Sequence, residues 1–123
     1  MDNIIWDFYK GYEGEGEIQF IQVFDNDNRN IIRIWDGYFD DIMGTIEPEA
    51  SGWTGLAYCY NLVEGWYDES PWQIPNLMNA YQQIKQTENT KFRFSDSKKV
   101  TDEICNLLSN ALDNGNCVYI ARE

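Results

Sequence analysis

The chain has 123 residues, 43% apolar and 24% charged, with 21 acidic residues against 9 basic ones and a net charge of −12. These totals describe one folded domain over residues 1–123, able to bury a core without staples, and they argue against disorder. Histidine is absent, which removes the commonest general base, the Ser-His and Cys-His nucleophile pairs and the commonest metal ligand.

Asn3 to Tyr9 reads as an opening strand, followed by a glycine-rich turn at Gly11, Gly14 and Gly16. Glu17 to Phe24 alternates, with Ile18 and Phe20 on one face and Ile21 and Val23 on the other, so it predicts a second strand. Asp25 to Asn30 is a run of turn formers. The next segment carries two periods at once. Ile31, Ile34, Trp35, Tyr38, Phe39 and Ile42 fall at helical spacing, yet the β-branched start and Gly37 favour a strand to about Trp35.

From Gly44 to Trp72 no period is sustained, and Leu56 to Val63 reads as a short helix or strand. Pro75, with Leu77, Met78, Tyr81 and Ile84, predicts an amphipathic helix to about Gln86. Lys91 to Phe94 alternates as a short strand. Asp96 or Ser97 is placed to cap a second helix whose apolar face runs from Val100 to Leu112, with Asn114-Gly115 as its stop. Cys117 to Ala121 closes the chain as a strand. The expected fold is α+β: an N-terminal antiparallel β-meander, then helix, strand, helix and strand, with a single layer of sheet packed by helices.

The negative charge is not spread along the chain. Residues 1–70 hold fifteen acids against Lys10, Arg29 and Arg33, whereas residues 71–123 hold six acids and six bases. That acidic stretch also contains Trp6, Trp35, Trp53 and Trp66. A surface of this kind repels nucleic acid, itself a dense polyanion, and suits a basic protein whose encounter is steered by opposite potential. Fifteen acids with three bases repel one another in the compact state, a cost that is intelligible if the potential serves association.

Other patterns carry less. Cys59, Cys105 and Cys117 are an odd number without C-x-x-C spacing, which fits buried thiols in a reducing compartment. A Cys105–Cys117 bridge is left open, though nothing requires it. Asp25, Asp27 and Asp36 faintly imitate a calcium loop, but Arg29 and Asn30 stand where a ligand and a glycine belong, so a hairpin turn is expected. Glu13, Glu15 and Glu17 would repel a phosphate from the glycine-rich turn. The start of the chain lacks a basic and apolar leader, and no stretch reaches the roughly 18 apolar residues of a membrane span. A cytoplasmic monomer is the default, with no metal, no cofactor and no catalytic residue expected.

The candidate site is therefore a partner-binding face drawn from the acidic and aromatic runs: Trp35, Asp36, Tyr38, Asp40 and Asp41, with Trp66, Tyr67, Asp68 and Glu69. A solvated face over an aromatic core is the plain alternative. Two narrower alternatives use the same residues: paired carboxylates beside tryptophans for binding or cleaving carbohydrate, and carboxylates tracing phosphate spacing as a DNA mimic.

Phe94-Ser95-Asp96, the helical run Ile104-Cys105-Asn106-Leu107-Leu108, and Val118-Tyr119-Ile120, with Gly52-Trp53 and Trp72 as further echoes, give the chain its likeness to a known class. It resembles the small acidic immunity proteins of bacterial polymorphic and contact-dependent growth inhibition toxin systems, across about half its length. The resemblance implies a non-enzymatic antitoxin that binds a basic cognate toxin, a nuclease above all, and blocks its active site or substrate groove. It transfers no individual functional residue.

Overall fold

The computed structural model describes residues 1–63, 65 and 70–122. Glu17–Val23 (β2) and Arg29–Trp35 (β3) form an antiparallel hairpin in which Glu17 faces Trp35 and Val23 faces Arg29. The Asp25–Asn28 segment between them is a tight turn, with Asp27 at a φ of 66°. Asp2–Phe8 (β1) lies on the far side of β3 and runs parallel to it. The N-terminal strands are thus not a meander: the Tyr9–Gly16 connection carries the chain over the end of β3 before β2 begins. Cys117–Arg122 (β5) pairs antiparallel with the other side of β2, and the two-residue strand Trp72–Gln73 (β4) borders β5. The described residues give a five-stranded mixed sheet in the order β1-β3-β2-β5-β4.

Four α-helices accompany it among the described residues: Asp36–Met43 (α1), Gly55–Leu62 (α2), Leu77–Lys85 (α3) and Ser97–Asn114 (α4). The expected α+β class is met, while the order of elements differs in three places. Helix α1 follows β3 without a turn, because Ile31 and Ile34 obey the strand period and Tyr38, Phe39 and Ile42 obey the helical one. Strand β4 is too short to leave a pattern. Lys91–Phe94 forms no strand, since the N–H groups of Arg93 and Phe94 are bonded to the Asp41 carboxylate instead of a neighbouring strand. The α3 boundary also shifts: Asn76, one residue after Pro75, is the cap, accepting from the Asn79 N–H at 3.0 Å. At the other helix neither expected cap operates, for Asp96 makes no capping bond and the Ser97 hydroxyl donates to Asp41. Gly115 ends α4 in the left-handed conformation, as expected.

Alternation along the strands sends Ile18, Phe20, Ile32, Ile34, Val118 and Ile120 to the helical face, where they meet Phe39 and Ile42 of α1, Ile84 of α3 and Ile104 and Leu108 of α4. Each such side chain contributes roughly 1.5–3 kcal/mol when fully buried. A smaller cluster of Ile21, Ile31 and Ala121 occupies the opposite face. On the same face of β2 the polar Gln22 is also buried, and its Nε2 donates to Asn110 Oδ1 at 2.8 Å and Asn116 Oδ1 at 2.9 Å.

Helix α2 lacks a side-chain cap of its own, and Gln83 of α3 serves instead. Its Oε1 accepts from the Ala57 N–H at 3.1 Å, and its Nε2 donates to the Thr54 carbonyl at 2.6 Å. Gln83→Ala strands both groups, so urea denaturation is expected to register a loss of about 1–3 kcal/mol. A loss below the scatter of exposed substitutions would show that water replaces the amide. The three cysteines are free thiols. Burial pushes the Cys105 thiol up to about 11.

Candidate functional site

The end of the sheet where β3 passes into α1 collects most of the candidate residues described. Trp35, still extended, is the cap residue of α1, and Asp36 and Gly37 form its first turn. Two glycines permit the close approach. A β-carbon at Gly16 would strike the Asp36 carboxylate, and one at Gly37 would strike the Trp35 ring, which folds back over the start of the helix. The Trp35 ring stacks on Tyr12 at 4.4 Å and takes the edges of Tyr38 at 5.3 Å and Phe94 at 5.1 Å. Its indole N–H donates to Glu15 Oε1 at 3.2 Å.

Glu15, Asp36 and Asp40 bring three carboxylates into mutual electrostatic reach at this end. Asp36 is half-buried, and its carboxyl is pushed above the usual range by burial first, then by the charges of Asp40 and Glu15; Arg122 of β5 partly offsets them. Asp40 is exposed, one turn along α1, and accepts the Tyr60 hydroxyl of α2 at 2.7 Å. Glu15 is exposed on the crossing loop. Mutual repulsion among these groups means that an arriving ammonium or guanidinium relieves an existing unfavourable interaction as well as forming a new pair.

The other candidates divide differently. Tyr38 is 5% exposed, its hydroxyl 3.1 Å from that of Tyr12 and donating to Asp96 Oδ2 at 3.3 Å; burial, then Tyr12, raises its pKa far above that of a free phenol. Asp41 is 4% exposed and faces inward. It accepts the N–H groups of Arg93 and Phe94, both at 3.0 Å, and the Ser97 hydroxyl at 2.6 Å. Burial alone would raise its pKa, but these donors outweigh it and hold the carboxyl below the usual range. Asp41 is thus a fastener between α1 and the start of α4, on the inner side of the helix whose outer side carries Asp40. Trp66, Tyr67, Asp68 and Glu69 lie outside the described residues.

Glu15, Tyr12 and Tyr60 join the site without having been expected there. Glu15 stood out in the sequence only as a charge hostile to phosphate, and the tyrosines lie in segments with no sustained period. The other described acids of this stretch lie elsewhere. Asp2 pairs with Arg29, and both Asp7 and Glu17 pair with Arg33. Asp25 and Asp27 lie at the hairpin tip, the opposite end of the sheet. Glu47 and Glu49 border a small polar hollow with Trp53, Gln82 and Gln86. Among the described residues no group of three His, Cys, Asp or Glu could hold a metal ion, and no helix is long and apolar enough to cross a membrane.

Comparison with models of protein families, with curated proteins and with solved structures gave no match.

Proposed function

We propose that this chain is an immunity protein: a non-enzymatic inhibitor that binds a basic cognate toxin, a nuclease, in the cytoplasm of the cell that makes it. The observation that carries the reading is the trio Glu15, Asp36 and Asp40, with Glu15 bonded to the Trp35 ring of the Trp35–Tyr12 stack, where burial and like charge already oppose ionisation of Asp36. Lysines and arginines that hold phosphates in a nuclease groove are the natural complement of such a cluster. Close charge pairs in interfaces couple by roughly 1.5–7 kcal/mol, so two or three suffice for tight binding. Trp35 supplies the apolar anchor beside them. The surface proposed is therefore Glu15, Trp35, Asp36 and Asp40 with Tyr60, extended by Trp66, Tyr67, Asp68 and Glu69 on the strength of the sequence alone. Tyr38 and Asp41 support it from inside.

The test is reconstitution with a candidate basic toxin, sought first in the reading frame next to the one encoding this chain. Calorimetry is expected to give a stoichiometric complex, and plasmid cleavage by that protein is expected to stop at equimolar inhibitor. A chain that leaves cleavage untouched, or that instead retains soluble glycans or unrelated DNA-binding enzymes, overturns the proposal in favour of the carbohydrate or DNA-mimic alternative.

A further inference from the structure

Strand β1 differs from every other strand in the sheet. It is hydrogen-bonded to β3 alone among the described residues, and Asp2 to Asp7 are all exposed. Ile4 is 51% exposed, Ile5 42% and Trp6 38%. Along its outer edge alternate N–H and C=O groups point away from β3, a template on which another extended segment can pair. The opposite border of the sheet, β4, is two residues long and offers no comparable template. A register shift between Ile4 and Trp6 leaves Ile5 without a partner in β3.

The charges along this edge decide what it fits. Arg29 pairs with Asp2 at 2.6 Å and Arg33 with Asp7 at 3.3 Å. Lys99 of α4 pairs with Glu103 at 2.8 Å while lying 4.5 Å over the Trp6 ring. Arg29 is thus committed here and Arg33 is shared between Asp7 and Glu17 of β2, so the acids of β1 are compensated and its exposed Ile4, Ile5 and Trp6 make an apolar strip on a chain of net charge −12. A lysine-rich segment gains nothing from such a strip; its complement is the Glu15–Asp36–Asp40 end. An identical strip is where two copies of an acidic chain meet with least repulsion, and one edge strand is self-complementary when paired antiparallel about a two-fold axis.

We infer that the free edge of β1 is a self-association surface, joining two copies of this chain strand to strand into one continuous sheet and leaving the acidic end of each copy uncovered. A single strand pairing is at the small end of interface sizes, so the association is expected to be weak. It also carries a distinctive salt dependence. Screening reduces repulsion between two anionic copies, so added salt strengthens this contact, whereas it weakens attraction to a basic partner.

Sedimentation equilibrium of the purified chain tests the inference. Between about 10 μM and about 1 mM protein, the range suited to a small interface, the average mass is expected to rise from 14.4 kDa toward twice that value, and to rise further when salt is added. Ile4→Lys with Ile5→Lys places charge on two exposed positions of the edge and is expected to hold the mass at the monomer value, with an unchanged circular dichroism spectrum. Hydrogen exchange is expected to slow at the outward β1 amides as concentration rises. A wild-type chain that stays monomeric at the upper concentration in high salt overturns the inference. So does a dimer that survives both lysines, or one that salt dissociates. None of these outcomes depends on a toxin, so the edge and the acidic end stand or fall separately.

Discussion

Asp41→Ala is expected to destabilise the fold by about 3 kcal/mol, because three donors directed at one carboxylate lose their acceptor together. The Ser97 hydroxyl is buried and has no route to solvent, whereas the Arg93 and Phe94 N–H groups lie in a loop that water can reach in part. In a chain of this length the loss corresponds to a fall in Tm of roughly 10 °C, readable by calorimetry. The neighbouring change Asp40→Ala removes an exposed carboxylate and is expected to stay within about 0.5 kcal/mol. The pH dependence separates a charged fastener from a merely well-packed side chain. The folded pKa of Asp41 lies below its ordinary value of 3.8, so unfolding takes up a proton between the two values. Its contribution is fully present above 3.8 and is lost as the pH falls through the lowered folded pKa. The wild-type chain is therefore expected to lose stability toward acid more steeply than Asp41→Ala over that window. Parallel acid limbs for the two proteins would remove Asp41 from this role. Asp36 acts with the opposite sign. Its folded pKa is raised, so its ionisation above that value costs stability, and the cost is relieved as the pH falls through it.

Glu15→Lys combined with Asp40→Lys is expected to slow association with the basic partner by about 10–10³-fold at low salt. Both side chains are exposed, so inversion leaves the interior untouched while turning an attractive end of the molecule into a repulsive one. The difference from wild type is expected to shrink as salt shortens the screening length to about 8 Å. Trp35→Ala is the complementary change: its loss of buried contact appears in the dissociation rate. Stopped-flow mixing over a salt series distinguishes the two. Wild-type association rates for the double inversion at low salt would exclude this end of the sheet as the docking face.

Much of the fold was legible because its patterns are local. The alternation of Ile18, Phe20, Ile21 and Val23, the apolar face from Val100 to Ala111, and the Asn114-Gly115 stop each announce their element within a few residues. What escaped is decided at a distance. That β1 crosses over to β3 instead of docking beside β2 involves the Tyr9–Gly16 connection and the partners Arg29 and Arg33, which lie far along the chain from Asp2 and Asp7. Lys91 to Phe94 has strand-like alternation, and only the presence of Asp41 more than fifty positions earlier diverts its backbone. The site fared similarly. Charge and aromatic content singled out the segment that becomes α1, but nothing in Asp40-Asp41 reveals that one faces water and the other the interior until α1 has a core-facing side. That side is set by Phe39 and Ile42. The helix also begins without a capping side chain, so its first residue carries no signal.

The buried amide of Gln22 has a consequence for how the sheet chooses its alignment. A shift of β2 by one position would turn its apolar residues outward, and the alternating pattern alone forbids it. A shift by two positions would keep every apolar residue inside, so hydrophobicity hardly opposes it. Such a shift would bring Phe20 or Phe24 against the side chain of Asn116, leaving its buried carbonyl dry and the glutamine amide stranded among isoleucines. One amide among the isoleucines thus rejects the misalignment that the oily pattern tolerates, and locks the central strand to the far end of the longest helix.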